Sequence, residues 1–210
     1  MHPRQIDRFF RVFARELAAP ATVILTGAAA GSLWGHVRPS LDVDFAIRPA
    51  RGRRLPSWSR IERAAERTVR LTGIRANYAE DIDRWSAVSL LDYARHTTRY
   101  RRFGDLEVRL LDPLYWSIGK VTRYLSPDER DLVAVLQARR VAPSPLVHLW
   151  ARALRQSPRS PALTQFRRQA EHFLRTHGRT IWGADFDAEH ALWQFRLALA
   201  GPGNVAPARR

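Results

Sequence analysis

In LDVDFAI (residues 41–47), two aspartates stand one residue apart in an otherwise apolar run. In an extended strand residues i and i+2 point to the same side. Asp42 and Asp44 would then share a face, while Val43, Phe45 and Ile47 fill the core side. Two carboxylates on one half-buried face repel each other, which is costly unless a cation compensates. Mg²⁺ takes one or two carboxylates together with phosphate oxygens. Two such ions about 3.5–4 Å apart clamp an in-line phosphoryl displacement. Asp42 and Asp44 are therefore candidate ligands of a divalent metal acting on a phosphorylated substrate; the plainer alternative is a turn or a solvated edge.

The Asp-hydrophobic-Asp pattern occurs three times, so context must choose among the copies. Asp81 and Asp83 lie in AEDIDRW, which has no flanking strand and reads as a loop or helix start. Asp185 and Asp187 precede an apolar-periodic helix, where capping residues belong. Only Asp42 and Asp44 sit in a strand pattern. Just upstream, the β-branched run TVIL leads into Thr26-Gly27-Ala28 and then a short helix. A glycine there lets backbone come close to a ligand, and a helix N-terminus offers free N–H groups to an anion. The same connection is also common where no ligand binds.

Taken together, GAAAGSLWGHVRPSLDVDF resembles the first motif of the polymerase-β-like nucleotidyltransferase superfamily: a strand, a Gly-Gly or Gly-Ser pair, nine to thirteen residues, and Asp-hydrophobic-Asp on the next strand. Gly27-Ala28 stands in the pair's position directly after the strand, with Ala28 in place of the second small Gly or Ser; Gly31-Ser32 is the alternative pair. Arg38-Pro39-Ser40-Leu41-Asp42 is similar to the Arg-x-Thr/Ser-x-Asp run of bacterial toxin nucleotidyltransferases of the AbiEii and MenT type. Those proteins carry a downstream lysine and then Asp-x-x-Asp, and here Lys120 is followed by Asp128-Glu129-Arg130-Asp131, with Arg123 between. The resemblance covers residues 22–47 and 105–136.

The resemblance implies a minimal nucleotidyltransferase fold, of α/β (α+β) class, with a small mixed sheet flanked by helices and a C-terminal helical lobe. It implies transfer of an NMP from an NTP to an acceptor, with Mg²⁺ or Mn²⁺ held by Asp42 and Asp44. Gly27, Ala28, Ser32, Arg38, Ser40 and Arg123 would line the nucleotide. Lys120 would meet phosphate or the charge developing on pyrophosphate, and Asp131, with Asp128, would orient it or assist the acceptor. Glu107, with Asp105 as alternative, is the candidate third carboxylate on a later strand. The implied acceptor is RNA, with the tRNA 3′ end in view, and the implied biology is a toxin with an antitoxin partner. Two alternatives stand beside this: nucleotidylation of a protein or small molecule by the same fold, and a catalytically silent member that binds nucleic acid or protein.

Composition bears on the same question. The 210 residues carry 35 basic and 20 acidic side chains, a net charge of +15, which attracts polyanions. A GC-rich coding bias is the competing explanation, because 34 of the 35 basic residues are arginine. Lys120 is the only lysine, and a position that keeps an ammonium in such a chain asks for a compact point charge rather than a planar fork. Arginines cluster at Arg48, Arg51, Arg53 and Arg54 and again at Arg95, Arg99, Arg101 and Arg102. The second cluster is interleaved with Tyr93, Tyr100 and Phe103, a pattern suited to phosphate contact and base stacking. Zero cysteines exclude disulfides and thiolate metal sites. With no long apolar run and no signal-peptide pattern, no membrane association is expected and the cytoplasm is the expected compartment.

These residues need elements to position them. Ile6, Phe9, Phe10, Phe13 and Leu17 recur at helical spacing. Strands are expected at 22–27, 41–47 and 105–113, with a further possible strand in IRANYAE. Helices are expected at 28–36, at 57–73 with Ser57 or Ser59 as N-cap, at 114–125 and at 127–140. Residues 81–103 give no clear pattern. From Val141 onward, Pro/Ser-rich linkers separate apolar-periodic helices at 145–156, 162–177 and 187–200. The expected organisation is a nucleotidyltransferase domain over 1–140 and a helical lobe with a frayed tail over 141–210. Trp150, Trp182 and Trp193 read as core.

Overall fold

Ile6, Phe9, Phe10, Phe13 and Leu17 form the wholly buried face of helix α1 (Pro3–Leu17) in the computed structural model, which describes residues 1–35 and 40–201. The helix ends at Ala18, in left-handed backbone, where Arg60 donates from Nε to Leu17 O (2.9 Å) and from Nη2 to Ala18 O (2.6 Å). A cation on those orphan carbonyls completes the helix end. Arg60 belongs to helix α3 (Trp58–Thr72), N-capped at Ser57 and closed by Gly73 at φ 71°, a conformation that favours glycine.

The fold is mixed α/β. Strands β1 (Ala21–Thr26), β2 (Asp42–Pro49), β3 (Arg75–Ala79), β4 (Thr97–Phe103) and β5 (Leu106–Leu111) form one sheet in the order β3-β2-β1-β5-β4. β1 runs antiparallel to β2 and parallel to β5; β2 and β3 are parallel; β4 and β5 are antiparallel. Helix α2 (Gly27–Trp34) joins β1 toward β2. Alternation sends Val43, Phe45 and Ile47 to one side of the sheet, all fully buried. Phe45 lies among the rings of Phe9, Phe10 and Phe13, at centroid distances of 6.2, 5.7 and 5.6 Å, and stacks on Tyr78 at 5.7 Å. This aromatic cluster fixes β2 against α1.

The described residues group into two compact units, Met1–Arg84 with Asp92–Asp112, and Trp85–Leu91 with the residues from Pro113 onward. The first holds the sheet with α1, α2 and α3. The second is helical: α4 (Pro113–Arg123), α5 (Ser126–Ala138), α6 (Pro143–Gln156), α7 (Pro161–Trp182) and α8 (Ala188–Ala200). Prolines in the first turn open α5, α6 and α7, where a missing N–H costs nothing. Trp150 is fully buried, edge-on to Phe166 and Phe173, and its Nε1 donates to Ser117 Oγ at 2.9 Å.

Three sequence expectations are adjusted. Residues 97–103, patternless in the sequence, form β4, an edge strand whose arginines replace the apolar alternation of an interior strand. Helices α4 and α5 group with α6–α8, so the units part at Asp112/Pro113 where the sequence suggested a division after 140. Their apolar faces, including Trp116, Ile118, Leu132, Val135 and Leu136, are buried in the second unit. Trp193, read as core, is 58% exposed. Phe45→Ala is expected to cost the first unit about 3–5 kcal/mol, measured by urea denaturation followed through far-UV circular dichroism.

Candidate active site

Antiparallel register places Asp44 opposite Thr26, the last residue of β1, and parallel register places Asp42 opposite Arg75 and Asp44 opposite Asn77. Asp42 and Asp44 point to the same side of β2. Asn77 Nδ2 donates to Asp42 Oδ2 at 3.1 Å and to Asp44 Oδ1 at 2.8 Å. One amide NH₂ has two hydrogens, one for each carboxylate. The two acidic oxygens therefore converge on a single point occupied by the positive end of a dipole. Their remaining lone pairs and their all-oxygen chemistry fit a hard divalent cation, to be completed by phosphate oxygens. Among the described residues no group of three or more His, Cys, Asp or Glu side chains could hold a metal by itself.

Gly27 explains the start of α2. Its φ is 64°, and a Cβ built on it would stand 2.0 Å from Asp44 Oδ2 and 2.9 Å from Asp44 Cγ. The glycine is thus required by the Asp44 carboxylate, which lies against the first residue of α2, where the helix dipole favours negative charge. Ala28 follows as a buried helical residue. Ser32 Oγ donates to Ala29 O at 2.8 Å, within the helix. Ser40 is 5% exposed and its hydroxyl donates to Asp42 O at 2.7 Å and reaches Asp42 Oδ1 at 3.3 Å, so it braces Asp42. Both hydroxyls assigned to nucleotide contact are engaged within the protein. Arg38 lies outside the described residues.

Glu107 does not join the aspartates. It is opposite Thr22, whereas Asp44 is opposite Thr26, four residues further along β1. At ~3.3 Å per residue this is an offset of about 13 Å along the strands. Glu107 Oε1 instead accepts from Arg109 Nη1 at 2.7 Å, and Arg109 also donates to Thr97 Oγ1 and O. Asp105, the alternative, lies beyond the start of β5, further still from the pair. Alternation on β5 could be read from residue order, but its register against β1 could not. The other two Asp-X-Asp pairs are local, as expected: Asp81 Oδ1 accepts from Asp83 N, and Asp187 caps α8 by accepting from His190 N.

Within the second unit, Lys120 is 4% exposed and its ammonium donates to Asp131 Oδ2 at 2.6 Å and to Asp128 Oδ1 at 3.0 Å. It also lies 5.3 Å from the centre of the Trp116 ring. Arg123 forks onto Asp128, with Nε at 2.6 Å from Oδ2 and Nη2 on Oδ1. Burial alone would push the Asp128 carboxyl up, but hydrogen bonds from Arg123 and the charge of Lys120 outweigh it and hold it below its ordinary value. The four residues form a charge-balanced cluster that ties α4 to α5. The lysine-acid constellation is thus assembled within its own unit. Asn77 and Arg75 are the residues that sequence reading missed; both lie on a short strand whose partner positions only the register reveals.

Comparison with family models, with curated proteins and with solved structures finds no match to this chain.

Gly27→Ala should cost more in the native background than in an Asp44→Ala background, which removes the two closest contacts of the new methyl. The left-handed backbone alone accounts for about 1–2 kcal/mol, and a double-mutant cycle by urea denaturation is expected to show coupling of at least ~0.5 kcal/mol. For the second cluster, Lys120→Met leaves two buried carboxylates without their ammonium and should cost about 3–5 kcal/mol, read from the same measurement at pH 7. The Asp128 carboxyl is depressed in the folded state, so its stabilisation is complete above the unfolded value near pH ~3.9. It is lost as pH falls through the folded value. The stability deficit of Asp128→Asn should therefore be largest near pH 7 and shrink below about pH 4.

Proposed function

We propose that the chain is a metal-dependent nucleotidyltransferase that moves an NMP from an NTP to an acceptor, with RNA, including the tRNA 3′ end, as the favoured acceptor class. The observation that carries this reading is the convergence of Asp42 Oδ2 and Asp44 Oδ1 on one point from one side of β2. Like charges so arranged are costly unless something positive is meant to stand between them.

In this reading Asp42 and Asp44 hold the cation, Ser40 and Asn77 fix the two carboxylates in their common orientation, and Gly27 leaves room for Asp44. A divalent cation there would neutralise triphosphate charge and favour in-line displacement at the α-phosphorus. The acceptor oxygen forms a bond to that phosphorus, the bond to the bridging oxygen breaks, pyrophosphate leaves, and the acceptor's proton passes to solvent. The N–H groups at the start of α2 suit phosphate oxygens, and Arg75, opposite Asp42, suits a phosphate at the mouth of the site. Within the second unit, two of the three ammonium donors of Lys120 go to Asp128 and Asp131; a role for this residue at phosphate is what the resemblance implies. Asp131 and Asp128 then orient Lys120.

The resemblance in residues 22–47 and 105–136 supports the assignment and suggests a toxin paired with an antitoxin. No helix among the described residues is long and apolar enough to cross a membrane. Incubated with Mg²⁺, each labelled NTP and a cell lysate, the native chain is expected to label RNA. Asp42→Ala and Asp44→Ala should each lower that transfer by more than about a hundredfold, the scale of losing one electrostatic group, with unchanged circular dichroism. Label in protein or in a small molecule would move the acceptor class while keeping the chemistry. Full transfer by either variant would falsify the site.

A further inference from the structure

We infer that a cleft distinct from the aspartate pair binds the phosphate backbone of single-stranded RNA: the groove where Arg51 and Arg53 meet Arg102 and Arg109 across the start of β1. The two arginine clusters are far apart in sequence, one in the loop after β2 and one in β4. The sheet brings a member of the second cluster and Arg109 of β5 to the members of the first. The cleft has a volume of about 720 Å³ and is lined by four arginines against two carboxylates, Asp105 and Glu107.

The charges are not equivalent. Arg109 makes three hydrogen bonds to Glu107 and Thr97, and Arg102 donates from Nε to Gly104 O at 2.8 Å and lies 3.9 Å from Asp105. These two are held in place and answered by the two acids. Arg51 and Arg53 are exposed, and among the described residues neither guanidinium has a hydrogen bond or ion pair. The surplus is thus two positive charges on an open groove, which suits a ligand with successive anions. Among the described residues the lining contains no aromatic ring. Tyr100 donates its hydroxyl to Asp7 at 2.9 Å, Arg101 pairs with Asp7, and Tyr93 and Phe103 are buried, so the stacking partners suggested by the sequence are committed elsewhere. Recognition here runs through phosphates and is indifferent to base identity.

Position points to the acceptor strand. Thr22, Glu107 and Arg109 share the sheet face of Asp42 and Asp44, because residues opposite each other in register point to one side. The offset of about 13 Å along β1 matches roughly four stacked nucleotides at ~3.4 Å each. A strand lying in the cleft would have its end near the carboxylates. That last step rests on the transfer reading; the binding does not.

The test uses the full-length chain and a fluorescent mixed-sequence oligoribonucleotide without NTP or metal, with affinity measured by anisotropy over a salt series. Arg51→Ala/Arg53→Ala is expected to weaken binding about tenfold at ~0.15 M salt and to reduce the log-log salt slope by about 1.4. The charge-matched control Arg159→Ala/Arg168→Ala, in exposed residues of the helical unit, should change it far less. Oligonucleotides of different sequence should bind alike. Equal losses in both double variants, or an unchanged slope in the first, would overturn the cleft. So would polyglutamate binding more tightly than the oligonucleotide with the same loss in the first variant, an outcome that would mark the cleft as a protein site. Asp42→Ala should keep RNA binding whatever it does to transfer, so failure of the enzyme reading and failure of the cleft are told apart.

Discussion

Two like charges one residue apart on the same side of a strand repel each other, and the first unit is arranged to hold them together. Asn77 reaches across from β3 and places an amide between the two carboxylates. Ser40 braces Asp42 from the preceding turn, and the missing side chain of Gly27 makes space for Asp44. On the opposite side of β2, Phe45 is locked among three phenylalanines of α1, so the strand cannot rotate to relieve the repulsion. Four features thus hold together two charges that repel each other, and the proposed reading gives that arrangement a purpose.

The second unit solves the reverse problem. There the charges are opposite, buried and matched: one lysine and one arginine against two aspartates. Such a cluster contributes little net stability over an apolar replacement, although breaking it is costly. Its composition accounts for the lone lysine. Arg123 can fork onto Asp128 from the rim because its end is half exposed to solvent. The inner position is enclosed by Asp128, Asp131 and the face of Trp116. A compact ammonium fits there where a planar guanidinium would need more room.

Much of this was legible in the sequence. Helical spacing in the first seventeen residues gave the buried face of α1, and period-two alternation gave β2 and the common side of Asp42 and Asp44. The order Lys120, Asp128, Asp131 on adjoining helices gave the second cluster. What could not be read was whatever depends on one strand's register against another. Glu107 has the right residue type on the right kind of strand, yet its level along β1 takes it from the aspartates to the arginine cleft. Asn77 has no local signal, because its role exists only once β3 lies beside β2. β4 was hidden because an edge strand rich in arginine lacks the apolar alternation by which strands are recognised.

The contact between Gly27 and Asp44 constrains how this chain could diverge. Gly27 opens α2 and Asp44 lies in β2, seventeen positions apart in sequence, yet the volume available to one is set by the other. Any side chain at position 27 would have to arrive with a truncation at position 44, whereas a longer acid at position 44 finds nothing left to remove at position 27. Descendants of this sequence that gain a side chain at position 27 should therefore also carry a smaller residue at position 44, and a designer who changes the helix corner would have to change the strand with it.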